Sequence, residues 1–112
     1  MKKFLLLYTA PTETREKMQS ATEEEMKEGM QPWTEWFKQV GSNLVDKGFP
    51  LSNAMTVTKE GEMPGNVEFV GFTVIQAEDI DGAVKAAKMS PHLDREGATV
   101  EVHEMMPMPG LE

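Results

Sequence analysis

The spacing of apolar positions switches between strand-like and helix-like periods, and the switches divide the chain into elements. Lys3–Thr9 is a short, continuously apolar run closed by Pro11, the pattern of a strand. The stretch from Thr12 to Ala21 is polar and reads as a connection. Thr22-Glu23-Glu24-Glu25 has the form of a capping box, a hydroxyl acceptor with a carboxylate three residues on, and so marks a helix start. From there Met26, Met30, Trp33, Phe37, Val40 and Leu44 recur at alternating steps of four and three. They form one apolar stripe on a helix that Lys47 and Gly48 are suited to end. Pro32 lacks a backbone donor and crowds the carbonyl four residues back. A kink or restart is therefore expected between Gly29 and Pro32, with both halves keeping one buried face.

Phe49-Pro50-Leu51 begins the return to the sheet, Ala54–Thr58 reads as a short strand, and Lys59–Asn66 reads as a loop. Val67–Ala77 is the longest strand candidate, and Gly71 within it marks a bulge or a close backbone approach. Asp79 caps a second helix with Ile80, Ala83, Val84 and Ala87 on one face, which Pro91 ends. Gly97 turns the chain into a last strand, Thr99–Glu104. The order β-α-β-β-α-β predicts one α+β domain of ferredoxin-like topology, a four-stranded antiparallel sheet with two helices on one face. The first and third strands are apolar on both faces and belong at the centre of the sheet. Two helices cover one face only, so a second copy is expected on the other, as a homodimer.

Composition narrows the partners. The 112 residues suit a single domain, and the net charge of −8 with no basic stripe argues against nucleic acid. With no cysteine there is neither a disulfide framework nor a thiol site, and no metal or cofactor is expected. Met1-Lys2-Lys3 before Phe4-Leu5-Leu6-Leu7-Tyr8 imitates a signal peptide, yet the apolar run is short and passes straight into charged sequence. It reads as a strand, with cytoplasmic residence and no membrane partner expected. Met105-Met106-Pro107-Met108-Pro109-Gly110 reads as a tail or as an arm laid on a dimer mate.

With the order laid out, the chain resembles the YCII-related family, also described as DGPF-type domains. Lys3–Tyr8, Trp33-Thr34-Glu35-Trp36 and Asp46-Lys47-Gly48 carry the resemblance. So does the block Gly71–Asp79, continued by Ala83, Ala87-Lys88, Pro91-His92-Leu93, Gly97 and Val100-Glu101-Val102. The resemblance implies a dimeric α/β barrel with small pockets between sheet and helices, and no established reaction. A histidine–aspartate dyad proposed for one branch is not matched, because Pro32 and Trp33 occupy that stretch of helix and Phe49–Met55 holds no aspartate. The Asp-Gly-Pro-Phe motif is replaced by Asn66-Val67-Glu68-Phe69.

Candidate chemistry is sparse. His92 follows Pro91 in a loop, where it either reaches a pocket or fixes the turn. His103 shares a strand face with Glu101, as a pair at a sheet edge or a dimer interface. Trp33 belongs to the stripe, and Trp36 beside it either packs or lines the open end of a pocket. Tyr8 places a hydroxyl near the middle of the sheet. Tyr8, Trp33, Trp36 and His92 are therefore the candidate ligand-binding set. The expected function is small-molecule binding or an accessory role; the alternative is a cofactor-free enzyme of the lyase, isomerase or monooxygenase kind.

Overall fold

The computed structural model describes residues 1–111. In chain order the elements are β1 (Lys2–Thr9), α1 (Thr12–Gln19), α2 (Glu23–Val40), β2 (Leu44–Asp46), β3 (Met55–Thr58), β4 (Gly61–Pro64), β5 (Phe69–Ala77), α3 (Ile80–Lys88) and β6 (Thr99–Met105). A four-stranded sheet has the order β2-β5-β1-β6, with every neighbouring pair antiparallel. The architecture is α+β and consistent with a ferredoxin-like fold. Among the described residues no helix is long and apolar enough to cross a membrane.

The two apolar strands take the centre, as their sequence requires. Strand alternation sends Phe4, Leu6 and Tyr8 of β1 to one face, beside Thr73 and Ile75 of β5. There they meet Trp36 of α2 and Ala83 and Ala87 of α3, and this cluster is the core. Burying a side chain such as Phe4, Leu6 or Ile75 contributes about 2–3 kcal/mol. Leu5, Leu7, Phe72 and Val74 point to the opposite face and are half-buried.

Both helix starts follow their sequence signals. Thr22 Oγ1 accepts from the Glu25 amide at 3.1 Å, and Glu25 Oε1 accepts from the Thr22 amide at 3.2 Å, completing the capping box. Asp79 Oδ1 accepts from the Gly82 amide at 2.9 Å.

Several expectations are corrected. The stretch Thr12–Ala21 holds a helix, α1, rather than a plain connection. It has no apolar stripe to announce it, and it is held by Thr14 Oγ1, which donates to the Glu96 carbonyl at 2.6 Å. Helix α2 runs unbroken through Pro32, which is exposed, so there is no restart. The helix ends at Val40, where Gly41 takes a φ of 60° and continues into a 3-10 turn, Gly41–Asn43. Leu44 therefore leaves the helical stripe and opens β2. Met26 and Met30 are 54% and 51% exposed, so the buried part of the stripe begins only at the half-buried Trp33, whereas Trp36 is 2% exposed.

The second strand of the sheet is Leu44–Asp46, not Ala54–Thr58. Met55–Thr58 pairs instead with Gly61–Pro64, inside the expected loop, as a separate two-stranded hairpin. Gly48 does take the expected left-handed conformation, φ 77°, but it turns the chain after β2 rather than ending a helix. Asp46 Oδ1 accepts from the Gly48 amide at 2.8 Å, and a Cβ at Gly48 would stand 1.7 Å from the Phe72 carbonyl oxygen.

Candidate functional site

Tyr8 ends the buried row of β1, and its cross-strand partner is Gly71. A Cβ on Gly71 would lie 3.4 Å from the Tyr8 ring and 3.3 Å from the Phe49 carbonyl oxygen, so the glycine makes room for both. The phenol donates to Thr73 Oγ1 at 2.7 Å, and Thr73 Oγ1 donates onward to the Lys47 carbonyl at 3.0 Å. The buried Ser90 side chain also lies near the phenol and, like Thr73, favours its ionised form. Burial outweighs these contacts and pushes the phenol pKa up to about 12, so Tyr8 remains a neutral donor at physiological pH.

His92 stands in the 3-10 turn Pro91–Asp94, and Ser90 Oγ caps that turn by accepting from the His92 amide at 3.3 Å. The His92 ring is buried, with Nε2 2.7 Å from the Thr9 carbonyl oxygen. A carbonyl only accepts, so Nε2 carries the proton and the neutral ring keeps its lone pair on Nδ1. Burial holds the imidazole pKa below its ordinary value; the Thr9 hydrogen bond opposes that shift and nearby Arg95 adds to it.

Aromatic contacts join these groups to α2. The Tyr8 ring lies 5.0 Å from His92 and 5.2 Å, edge-on, from Trp33. Trp33 continues to Trp36 at 5.8 Å and to Phe37 at 6.0 Å. Trp36 Nε1 donates to the Ala86 carbonyl at 3.0 Å and so ties α2 to α3.

The four sequence candidates thus meet in one cluster with different exposures. Tyr8, Trp36 and His92 are buried, and Trp33 is half-buried. Trp36 packs in the core and does not form an open rim. Reasoning from sequence missed Thr73 and Ser90. Thr73 has a legible signal, a polar residue between Gly71 and Ile75 on the inward face of β5; Ser90 is legible as the residue that caps Pro91-His92. Two concavities lie elsewhere. One of about 340 Å³ is bounded by Ile80, Val84, Leu93, Val100 and Val102. The other, of about 320 Å³, lies by Val40, Ile75 and Ala86. His103 Nε2 pairs with Glu101 Oε1 at 2.9 Å on the exposed side of β6. Among the described residues, no group of three or more histidines or carboxylates is arranged to hold a metal ion.

A scan against protein-family models finds no match to this chain, and a search of curated proteins finds no significant one.

Proposed function

We propose that this chain works as a homodimeric small-molecule-binding domain of ferredoxin-like topology, the dimeric α/β barrel implied by its YCII-related resemblance. The observation that carries the reading is the meeting of three side-chain hydroxyls and one neutral imidazole under a half-buried indole. Tyr8, Thr73, Ser90 and His92 supply the few polar groups that orient a ligand, and Trp33 with Trp36 supplies the apolar wall. A ligand reaches them by displacing Trp33. The matching class is a small, flat, largely apolar molecule with one donor for the phenol oxygen, whose own proton is held by Thr73, and one donor for His92 Nδ1.

The dimer rests on the other face of the sheet. Leu5 and Leu7 stand in register with Val74 and Phe72 on the two central strands, and a second copy of the same face covers them.

Thermal-shift measurements across a library of small aromatic metabolites test the binding reading. Compounds that raise the melting temperature of the wild type should lose most of that effect in Tyr8→Phe and His92→Gln, both of which keep the volume of the site. Equal shifts in all three proteins would remove the cluster from the binding account. A cofactor-free enzyme is the second reading, favoured by the juxtaposition of a neutral imidazole and an un-ionised phenol, a base beside an acid. Turnover of a bound compound, lost in both variants, distinguishes it from binding alone.

A further inference from the structure

The β3–β4 hairpin pairs only within its own two-stranded sheet. Such a hairpin is marginal in water without a surface to pack on. Its apolar residues are nonetheless outside: Met55, Val57 and Met63 are 63%, 78% and 54% exposed. The molecule is correspondingly extended. Its radius of gyration is 15.5 Å, against about 13 Å for a compact chain of this length.

We propose that this hairpin is a dimer arm that seats in the groove between α3 and β6 of a second copy, each copy holding the other. The inference rests on the homodimer reading above and adds the element that completes its interface.

Area is the first argument. Four strands about 4.8 Å apart and about 27 Å long offer a flat footprint near 500 Å² at most. A stable interface takes about 800 Å² from each partner. The sheet face alone falls short by about 300 Å², and each copy adds one hairpin face, about 10 Å by 14 Å, together with the equal area of groove that receives its mate's, which supplies nearly that amount.

Placement is the second argument. The chain leading to the arm extends the β2 side of the sheet, where the Leu51 amide donates to the Val70 carbonyl and Pro50 bridges Gly71. The groove lies behind β6, at the opposite edge. A two-fold axis running along the strands lays the β2 edge of one sheet over the β6 edge of the other. That symmetry brings the arm of each copy to the β6 edge of its mate, round which the hairpin reaches the groove on the helix side, while its own groove stays a sheet's width away.

Chemical fit is the third. The groove is walled by Ile80, Val84, Leu93, Val100 and Val102, encloses about 340 Å³ and has Lys88 as its cation. Val57 shares a hairpin face with Met55 and with Glu62. An apolar pair therefore enters the apolar groove with its carboxylate directed at the ammonium.

The chain has no cysteine, which permits a direct test by cross-linking. The double variant Val57→Cys/Leu93→Cys should give a covalent dimer on mild oxidation, and each single variant should not. Val57→Asp, at an exposed position, should weaken dimerisation about tenfold or more by sedimentation, about 1.4 kcal/mol, with an unchanged circular dichroism spectrum. A dimeric wild type whose double variant does not cross-link, and whose dimerisation Val57→Asp leaves unchanged, would overturn the arm and leave the dimer standing. A monomeric wild type at micromolar concentration would overturn both.

Discussion

At the scale of single residues, the site is governed by which protonation states burial permits. His92 titrates below its ordinary value in the fold, so below pH 6.5 the unfolded chain takes up a proton that the fold resists. Its contribution to stability is complete above pH 6.5 and is lost as pH falls. His92→Gln, which keeps an N–H donor for the Thr9 carbonyl, should flatten the dependence of urea midpoints between pH 5 and 7 (about one unit either side of a histidine's ordinary pKa). An unchanged slope would show that other groups set it. Tyr8 behaves with the opposite sign: its stability is complete below pH 10 and is lost as pH rises towards about 12, at a cost of about 2–3 kcal/mol. The meeting of Tyr8 with His92 was legible in the sequence because topology alone brings the end of the first strand to the loop after the last helix. Packing was one of two readings for Trp36, and the structure decides for it. It lies three residues from Trp33 on the same side of the helix, and spacing cannot say which of two neighbouring positions faces the sheet. Trp36→Ala should cost about 3–5 kcal/mol, whereas Met30→Ala should cost under about 0.5 kcal/mol. Similar losses in the two would reverse this placement.

At the scale of elements, capped helices and doubly apolar strands were legible, and short or polar elements were not. Helix α1 contains one large apolar residue, Met18, so no periodicity reveals it; its anchor is a single threonine whose partner is a carbonyl 82 positions away. Strand β2 has three residues, too few for alternation to register. The apolar step from Val40 to Leu44 continued the helical spacing by coincidence, across a glycine that ends the helix. Gly48 was rightly expected to be left-handed, and the structure adds a second reason for glycine there. Gly48→Ala meets both an unfavourable φ and the Phe72 carbonyl oxygen. It should cost more than about 1 kcal/mol in chemical denaturation; a neutral result would contradict the close packing of that turn on β5.

At the scale of the whole molecule, a two-layer domain with one helix-covered sheet face leaves Leu5, Leu7, Phe72 and Val74 on the other, and exposed methionines on α2 and on the β3–β4 hairpin. The central place of the two apolar strands was legible, whereas the site was legible only as a neighbourhood, because hydrogen bonds such as Tyr8–Thr73 depend on side-chain direction. If the proposed dimer forms through this face, Phe72→Asp should give a folded monomer in sedimentation at concentrations where the wild type associates; a dimeric variant would move the interface off this face. Ligand entry beneath Trp33 can be followed through both indole N–H resonances by NMR during titration with aromatic compounds. The Trp36 signal, bonded to the Ala86 carbonyl, should stay in place while that of Trp33 shifts and saturates, and Tyr8→Phe should weaken the binding. A compound that saturates elsewhere on the protein and leaves Trp33 unmoved, with no other compound shifting it, would contradict ligand entry there.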